Sequence, residues 1–307
     1  MIRVADAHAD TLYEIAIKHT PPENCHVMKE TMTAGNVCLQ TFALFAGRRG
    51  TRGTAHQDGL DMLKASYALP VPVFRGALPD AFPEVPSGII SCEGGEMFEG
   101  SLERFREFND ETRLRMIALT WNFENEIGFP GKGGSDQPLK PFGRTLLEEM
   151  GRSGVLADVS HLNDAGFWDV CERSVLPPIA SHSNCRWLCG HSRNLTKEMV
   201  LAIIERRGFI GMNFYAPFVS ENPAATIDEL LRHIDAVCEL GGEDVLGFGS
   251  DFDGIDAWPE YLEGPAAFPR LLEALAARGY SADTLEKLAW KNLWRVLKTA
   301  DRAAFPR

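Results

Sequence analysis

The chain has 307 residues, with 45% hydrophobic side chains and 43 acidic against 31 basic residues, for a formal net charge of −12. Such a composition belongs to a folded protein with a large core, and with no Lys/Arg run it lacks the electrostatic footprint of a nucleic-acid binder. No stretch resembles a signal peptide or reaches the ~20 apolar residues of a membrane span, so the expectation is a soluble, cytoplasmic protein with a small-molecule partner and no membrane or nucleic acid.

Eight short runs rich in β-formers recur along the chain, at 3–5, 37–45, 88–92, 116–120, 155–159, 178–181, 209–213 and 245–249. Segments with helical spacing separate them, near 54–68, 99–114, 143–152, 164–174, 196–206 and 226–240, with a C-terminal pair near 266–278 and 282–298. Alternation of strand and helix signals parallel strands joined by crossovers. Eight repeats predict a (β/α)8 TIM barrel with a C-terminal helical extension, filling 1–307 as a single domain. The 226–240 segment is the clearest helix: Thr226 and Glu229 make a capping box, and Ile227, Leu230, Leu231, Ile234, Val237 and Cys238 form an apolar stripe. His233 lies off that stripe and is expected on the surface.

Polar residues gather where the predicted strands end, the rim on which such barrels assemble active sites. His8 and Asp10 follow the first strand, two residues apart, so an extended backbone turns both side chains the same way. Glu93 ends the third, before Gly94-Gly95; by itself it could equally cap a loop. His161 and His182 follow the fifth and sixth, and imidazole is the commonest metal ligand. Asp158 either orients a ligand or ties strand to loop. Three imidazoles and two carboxylates without a thiolate suit Zn²⁺, with Mn²⁺, Co²⁺ and Fe²⁺ also compatible. Five ligands exceed one tetrahedral ion, so Glu93 is expected to bridge two, His8 and Asp10 completing one site and His161 and His182 the other. Such a pair activates water for hydrolysis of a carbonyl compound through a metal-bridging hydroxide. Asp251, after the eighth strand, is placed to carry the proton as base and then acid, or else is a turn residue. Arg193 can clamp a substrate carboxylate.

Other signatures are missing. No G-x-S-x-G elbow, dinucleotide fingerprint, phosphate loop or H-E-x-x-H helix occurs, and Asp251-Phe252-Asp253-Gly254 departs from a calcium loop in its glycine and lacks the twelfth-position Glu. The seven cysteines, an odd and scattered set without C-x-x-C, suggest neither a disulfide framework nor a cysteine zinc site.

Taken together, Asp6-Ala7-His8-Ala9-Asp10, Glu93-Gly94-Gly95, Asp158-Val159-Ser160-His161, Ser181-His182-Ser183-Asn184, His191-Ser192-Arg193-Asn194, Asn213-Phe214-Tyr215 and Gly249-Ser250-Asp251-Phe252-Asp253-Gly254 resemble, in order, the membrane (renal) dipeptidase family of zinc metallopeptidases within the amidohydrolase-like barrels. The resemblance implies two zinc ions, one on His8 and Asp10, the other on His161 and His182, with Glu93 between. It also implies Arg193 as the substrate-carboxylate arginine, Asp251 as the proton carrier, Tyr215 near the substrate, and cleavage of dipeptides with tolerance of a D-residue on the carboxyl side. One departure concerns Leu119-Thr120-Trp121-Asn122: mammalian members carry His where Trp121 stands, and an indole N–H donates but carries no charge. The signal peptide and lipid-anchor tail of secreted members are not read in this sequence, so their membrane location is not expected here. A homodimer is compatible with the sequence. The alternatives are a barrel acting on a lactone, cyclic amide or N-acyl compound, or a catalytically inactive metal-binding relative.

Overall fold

In a computed structural model, eight parallel strands close into a barrel in chain order: β1 Val4–Asp6, β2 Val37–Phe45, β3 Gly88–Glu93, β4 Met116–Ala118, β5 Leu156–Asp158, β6 Ile179–Ala180, β7 Phe209–Met212 and β8 Leu246–Phe248. The structure describes residues 1–47, 54–222 and 224–304. All eight predicted strands form, each end within two residues of its expected position. Every strand residue is buried. Parallel strands covered on both faces read as continuous apolar runs, and this made them visible in the sequence.

The predicted helices surround the barrel. The capping box forms at Ile227–Glu239: Thr226 Oγ1 accepts the Glu229 N–H at 3.3 Å, and Glu229 Oε2 accepts the Thr226 N–H at 2.8 Å, worth about 1 kcal/mol for the first of these bonds. On the same helix the surface expectation for His233 fails. It is buried, its Nδ1 accepts the Cys185 N–H at 3.0 Å, and its Nε2 donates to the Val219 carbonyl at 2.8 Å. Loops after β6 and β7 fold over this helix face, so the ring is a clip between segments that an apolar stripe does not reveal. The first crossover also differs from the sequence reading, which placed no helix before 54. It contains a short helix Thr11–Tyr13 running into a π turn Glu14–Lys18, and a helix Lys29–Ala34. These are too short for a 3.6-residue pattern to emerge.

The C-terminal extension closes the bottom. Leu293, Trp294, Val296, Leu297 and Ala300 of helix Asn292–Ala304 share a buried cluster with Met116, Leu156, Ile179 and Phe209, the first residues of β4 to β7. Asp301 anchors this plug by pairing with Arg115 Nη1 at 2.8 Å and accepting the Leu78 N–H at 3.1 Å. With that end filled, the C-terminal ends of the strands form the open mouth. Among the described residues no helix is long and apolar enough to cross a membrane.

Candidate metal centre

Strand register sets the centre. Phe45 pairs with Glu93 and Glu93 with Ala118, while Asp6 sits beside Phe248, so the segments leaving β1, β3, β5, β6 and β8 arrive at one level. Glu93 divides its carboxylate between two corners. Its Oε1 lies 2.8 Å from His161 Nε2 and 3.4 Å from His182 Nε2, and its Oε2 lies 3.7 Å from His8 Nε2. His161 Nε2 and His182 Nε2 are 3.1 Å apart, and His8 Nε2 is 3.7 Å from Asp10 Oδ2. All five sequence-predicted ligands therefore converge, and all are buried. Asp251 joins them with Oδ1 3.9 Å from His8 Nε2, so it is placed as a carboxylate beside the His8–Asp10 corner.

The backbone accepts strain to do this. His161 and Asp251 are non-glycine residues with φ of 68° and 67°, conformations that cost of order 1 kcal/mol each and gather at functional sites. A Cβ on Gly254 would stand 2.1 Å from Asp10 Oδ2 and 2.7 Å from Asp251 Oδ1, so only glycine lets these carboxylates close together here.

Hydrogen bonds fix which atoms face the centre. Ser181 Oγ donates to Asp158 Oδ2, so at 2.7 Å it accepts from His182 Nδ1 and leaves the Nε2 lone pair inward. Asp158 Oδ1 also accepts the N–H groups of Ser160 and Ser181, each at 2.9 Å. It thus does both things the sequence left open, tying strand to loop and orienting a ligand through Ser181. Asn122 Oδ1, 3.1 Å from His161 Nδ1, fixes the other ring in the same sense. Asn213 Nδ2 donates to Asp251 Oδ2 at 2.9 Å, and the Asn184 side chain holds the Asn213 backbone at both its N–H and its carbonyl, at 2.8 and 2.9 Å. Sequence reasoning assigned no role to Ser181, Asn122, Asn184 or Asn213. Asn184 and Asn213 belong to motifs it quoted, but an amide side chain carries no chemistry of its own to flag it.

The three carboxylates of the centre must take up either protons or a counter-charge. Asp10, Glu93 and Asp251 are buried together, and ionised carboxylates in a low-dielectric site need a counter-charge. Burial, then Asp10, pushes Glu93 up to about 8 against the pull of His8. Burial also raises Asp251, against His8, and it drives His161 and His182 far below the ordinary imidazole value. His8 goes the other way: burial lowers it, but Glu93 and Asp10 together raise it well above that value. His8 Nε2 and Asp10 Oδ1 have no hydrogen-bond partner although buried. Inward imidazole lone pairs, carboxylate oxygens and these orphaned atoms are what one or more divalent cations would satisfy.

A cavity of about 500 Å³ opens above the centre, lined by Asp10, Glu93, His161 and Asp251 and, among others, by Trp121 and Tyr215. Trp121 follows β4 at the rim of this cavity. Arg193 is buried beside the Phe218 ring, 5.5 Å from its centroid, and among the described residues its guanidinium is held by long contacts, Nη1 to Ser183 Oγ at 3.5 Å and Nη2 to the His182 carbonyl at 3.4 Å. Its Nε has no partner. A guanidinium so loosely held keeps donors for an anion.

The chain is similar to known proteins. A protein of Klebsiella pneumoniae, uncharacterized and encoded in the pqqA 5′ region, is 36% identical over 223 residues, 68% of this chain and 80% of the relative. An uncharacterized dipeptidase of Schizosaccharomyces pombe is 33% identical over 219 residues, 70% of this chain, and the match spans about half of that protein, 53%. A metallopeptidase of Rhodobacter sphaeroides, solved with a phosphinate mimic of the dipeptide L-Ala-D-Ala, superposes with a TM-score of 0.87 at 26% identity, covering 97% of this chain and 99% of that one. The family model for membrane dipeptidase, peptidase family M19, matches residues 1–306. The chain belongs to the membrane dipeptidase family and is a metal-dependent hydrolase.

Proposed function

We propose that residues 1–307 act as one barrel unit that hydrolyses the amide bond of small dipeptides with two divalent cations, zinc by its donor set. The reading rests on one observation above the others, that Glu93 directs one oxygen to His161 and His182 and the other to His8. His8 and Asp10 would hold one ion and His161 and His182 the other, with Glu93 shared. When bound, the ions supply positive charge that acidifies water and offsets the charge gathering on an attacked carbonyl oxygen.

The chain's own residues do the rest. Asp251, steadied through Oδ2 by Asn213, takes the proton of the attacking water and delivers it to the leaving amine nitrogen. Arg193 receives the C-terminal carboxylate, which restricts the site to short substrates. Trp121 and Tyr215 line the cavity in which the dipeptide lies. The mimic held by the Rhodobacter sphaeroides metallopeptidase carries a D-residue on the carboxyl side, and this supports tolerance of that configuration here.

The test pairs metal analysis with turnover of L-Ala-L-Ala and L-Ala-D-Ala before and after chelation. About two ions per chain and loss of cleavage on chelation are expected. Metal-independent cleavage, or fewer than about one ion per chain, overturns the reading.

A further inference from the structure

We propose that Tyr13, Phe45 and Trp121 form the subsite for the side chain of the substrate's N-terminal residue, and that it selects dipeptides in which this residue is aromatic or bulky and apolar. The inference rests on the dipeptidase reading, with Arg193 as the anchor of the other end.

The topology sets the direction of the substrate. Arg193 sits on the connection after β6, and Tyr215 and Phe218 follow β7. Phe45 ends β2, in register with Glu93 of β3, and Trp121 follows β4. In a ring of eight strands, β3 stands across from β7. A dipeptide whose carboxylate reaches Arg193, and whose amide lies over the central cluster of His and carboxylate groups, must therefore extend its N-terminal residue toward the β2 to β4 side of the mouth.

That side is an aromatic wall. The Tyr13 and Phe45 rings meet edge to face, with centroids 4.9 Å apart and planes at 64°. Phe45 and Trp121 repeat the arrangement at 4.8 Å and 62°. All three line the 500 Å³ cavity, and interlocked T-shaped packing holds them as one preformed surface. The nearby carboxylates Glu14 and Asp253 are already engaged. Glu14 accepts from Lys18 Nζ at 2.5 Å and from Thr20 Oγ1 at 2.6 Å. Asp253 accepts from Thr11 Oγ1 at 2.6 Å and from the His26 and Val27 N–H groups at 2.6 and 3.2 Å. Phe45 and Trp121 thus offer a ligand aromatic surface, with Lys18 Nζ 5.5 Å from the Tyr13 ring centroid, and the cavity is in the size range that takes ligands larger than two alanines.

The experiment uses the zinc-loaded protein and three phosphinate dipeptide analogues that carry hydrogen, methyl or benzyl at the amino-side residue, with alanine on the carboxyl side. Binding is read by calorimetry, and KM and kcat are measured for Gly-Ala, Ala-Ala and Phe-Ala. Affinity should rise along the series, with the benzyl compound binding about tenfold or more tighter than the hydrogen one, and the preference should appear in KM more than in kcat. In Phe45→Ala the benzyl-to-hydrogen ratio should fall toward one. Tyr13→Ala, at a half-buried position, gives the same reading should the first variant fold poorly. A flat series, or a ratio unchanged in both variants, overturns the subsite while leaving dipeptide cleavage standing. Failure of every analogue to bind and of every dipeptide to be cleaved overturns the dipeptidase reading and the subsite with it.

Discussion

The two corners of the metal centre are built on the same clasp and hold opposite contents. At β1, Asp6 accepts the Ser250 N–H at 2.8 Å and the Ser250 hydroxyl, binding the first strand to the segment after β8. At β5, Asp158 takes the N–H and hydroxyl of Ser181, binding the fifth strand to the segment after β6. Each buried aspartate closes a seam between neighbouring strands and sets the residues just beyond it. Past the first clasp come His8, Asp10 and Asp251, rich in carboxylates, with the imidazole pushed up in pKa by Glu93 and Asp10 against its burial. Past the second come His161 and His182, two imidazoles pushed down by burial. One corner demands positive charge while the other offers only neutral lone pairs, and Glu93 joins them. The scaffold repeats; the chemistry is set by which side chains follow it.

The largest expected effect comes from breaking the join. Glu93→Gln keeps the shape and removes the shared anionic oxygens. Metal content should drop to one ion or fewer per chain, and dipeptide turnover by more than the 10–100-fold that loss of a supporting residue costs. Retention of two ions would mean that the corners load independently. Next is Asp251→Asn, expected to lower kcat by about 10²–10⁴-fold, as loss of a proton carrier does, with metal content unchanged. A matching loss of one ion would instead place Asp251 among the ligands of the β1 corner, beside His8.

The candidate site residues were legible because each follows an apolar run, so a His or carboxylate at that point already marks the rim of the barrel. The five candidate ligands, Asp251 and the eight strands follow from that one pattern. What was not legible depends on which loops meet. His233 reads as a surface residue on its helix because the stripe records only one partner, whereas Cys185 and Val219 cover the other face. The Asn184 side chain bonds the Asn213 backbone across 29 positions, and the His26 backbone bonds Asp253 across 227. No local spacing encodes such pairs. Asp6 did have a signal, for it stands two residues before His8 as Asp158 stands two before Ser160, but the repeat gains meaning only once Ser250 and Ser181 are seen beside them.

The clasps themselves should differ when opened. Ser181 touches the ring of a candidate ligand, His182 Nδ1, whereas Ser250 meets the candidate ligand His8 at its backbone carbonyl, at 3.4 Å. Ser181→Ala should therefore weaken zinc affinity by about 10–100-fold, through a ring free to turn. Ser250→Ala should leave affinity nearly intact and lower stability by about 1–3 kcal/mol, because it leaves a buried Asp6 oxygen short of a donor. Metal titration and denaturant unfolding of both variants separate the two outcomes; equal losses of affinity would mean that the clasps act alike.

The smallest effect is a slope with pH in the metal-free protein. Glu93, lifted by burial and Asp10 from 4.5 to about 8, keeps in the folded state a proton that the unfolded chain has released. Its contribution to stability is therefore full at acid pH and is lost as pH rises toward 8. His8, raised by Glu93 and Asp10 against its burial, adds loss of the same sign above its ordinary 6.5. His161 and His182 act oppositely, since burial lowers both: below about 6.5 the unfolded chain takes up protons that the folded one refuses, and stability falls as pH drops. The corners thus act oppositely on the metal-free protein, the β1 corner costing stability as pH rises and the histidine pair costing it as pH falls. Bound cations would replace the protons of the β1 corner, so the gap in melting temperature between loaded and metal-free protein should widen from pH 6.5 to 8. Melts of both forms at pH 5.5, 6.5 and 8 measure it, and a gap that narrows toward pH 8 would mean that the carboxylate-rich corner is not where the metal's charge is needed.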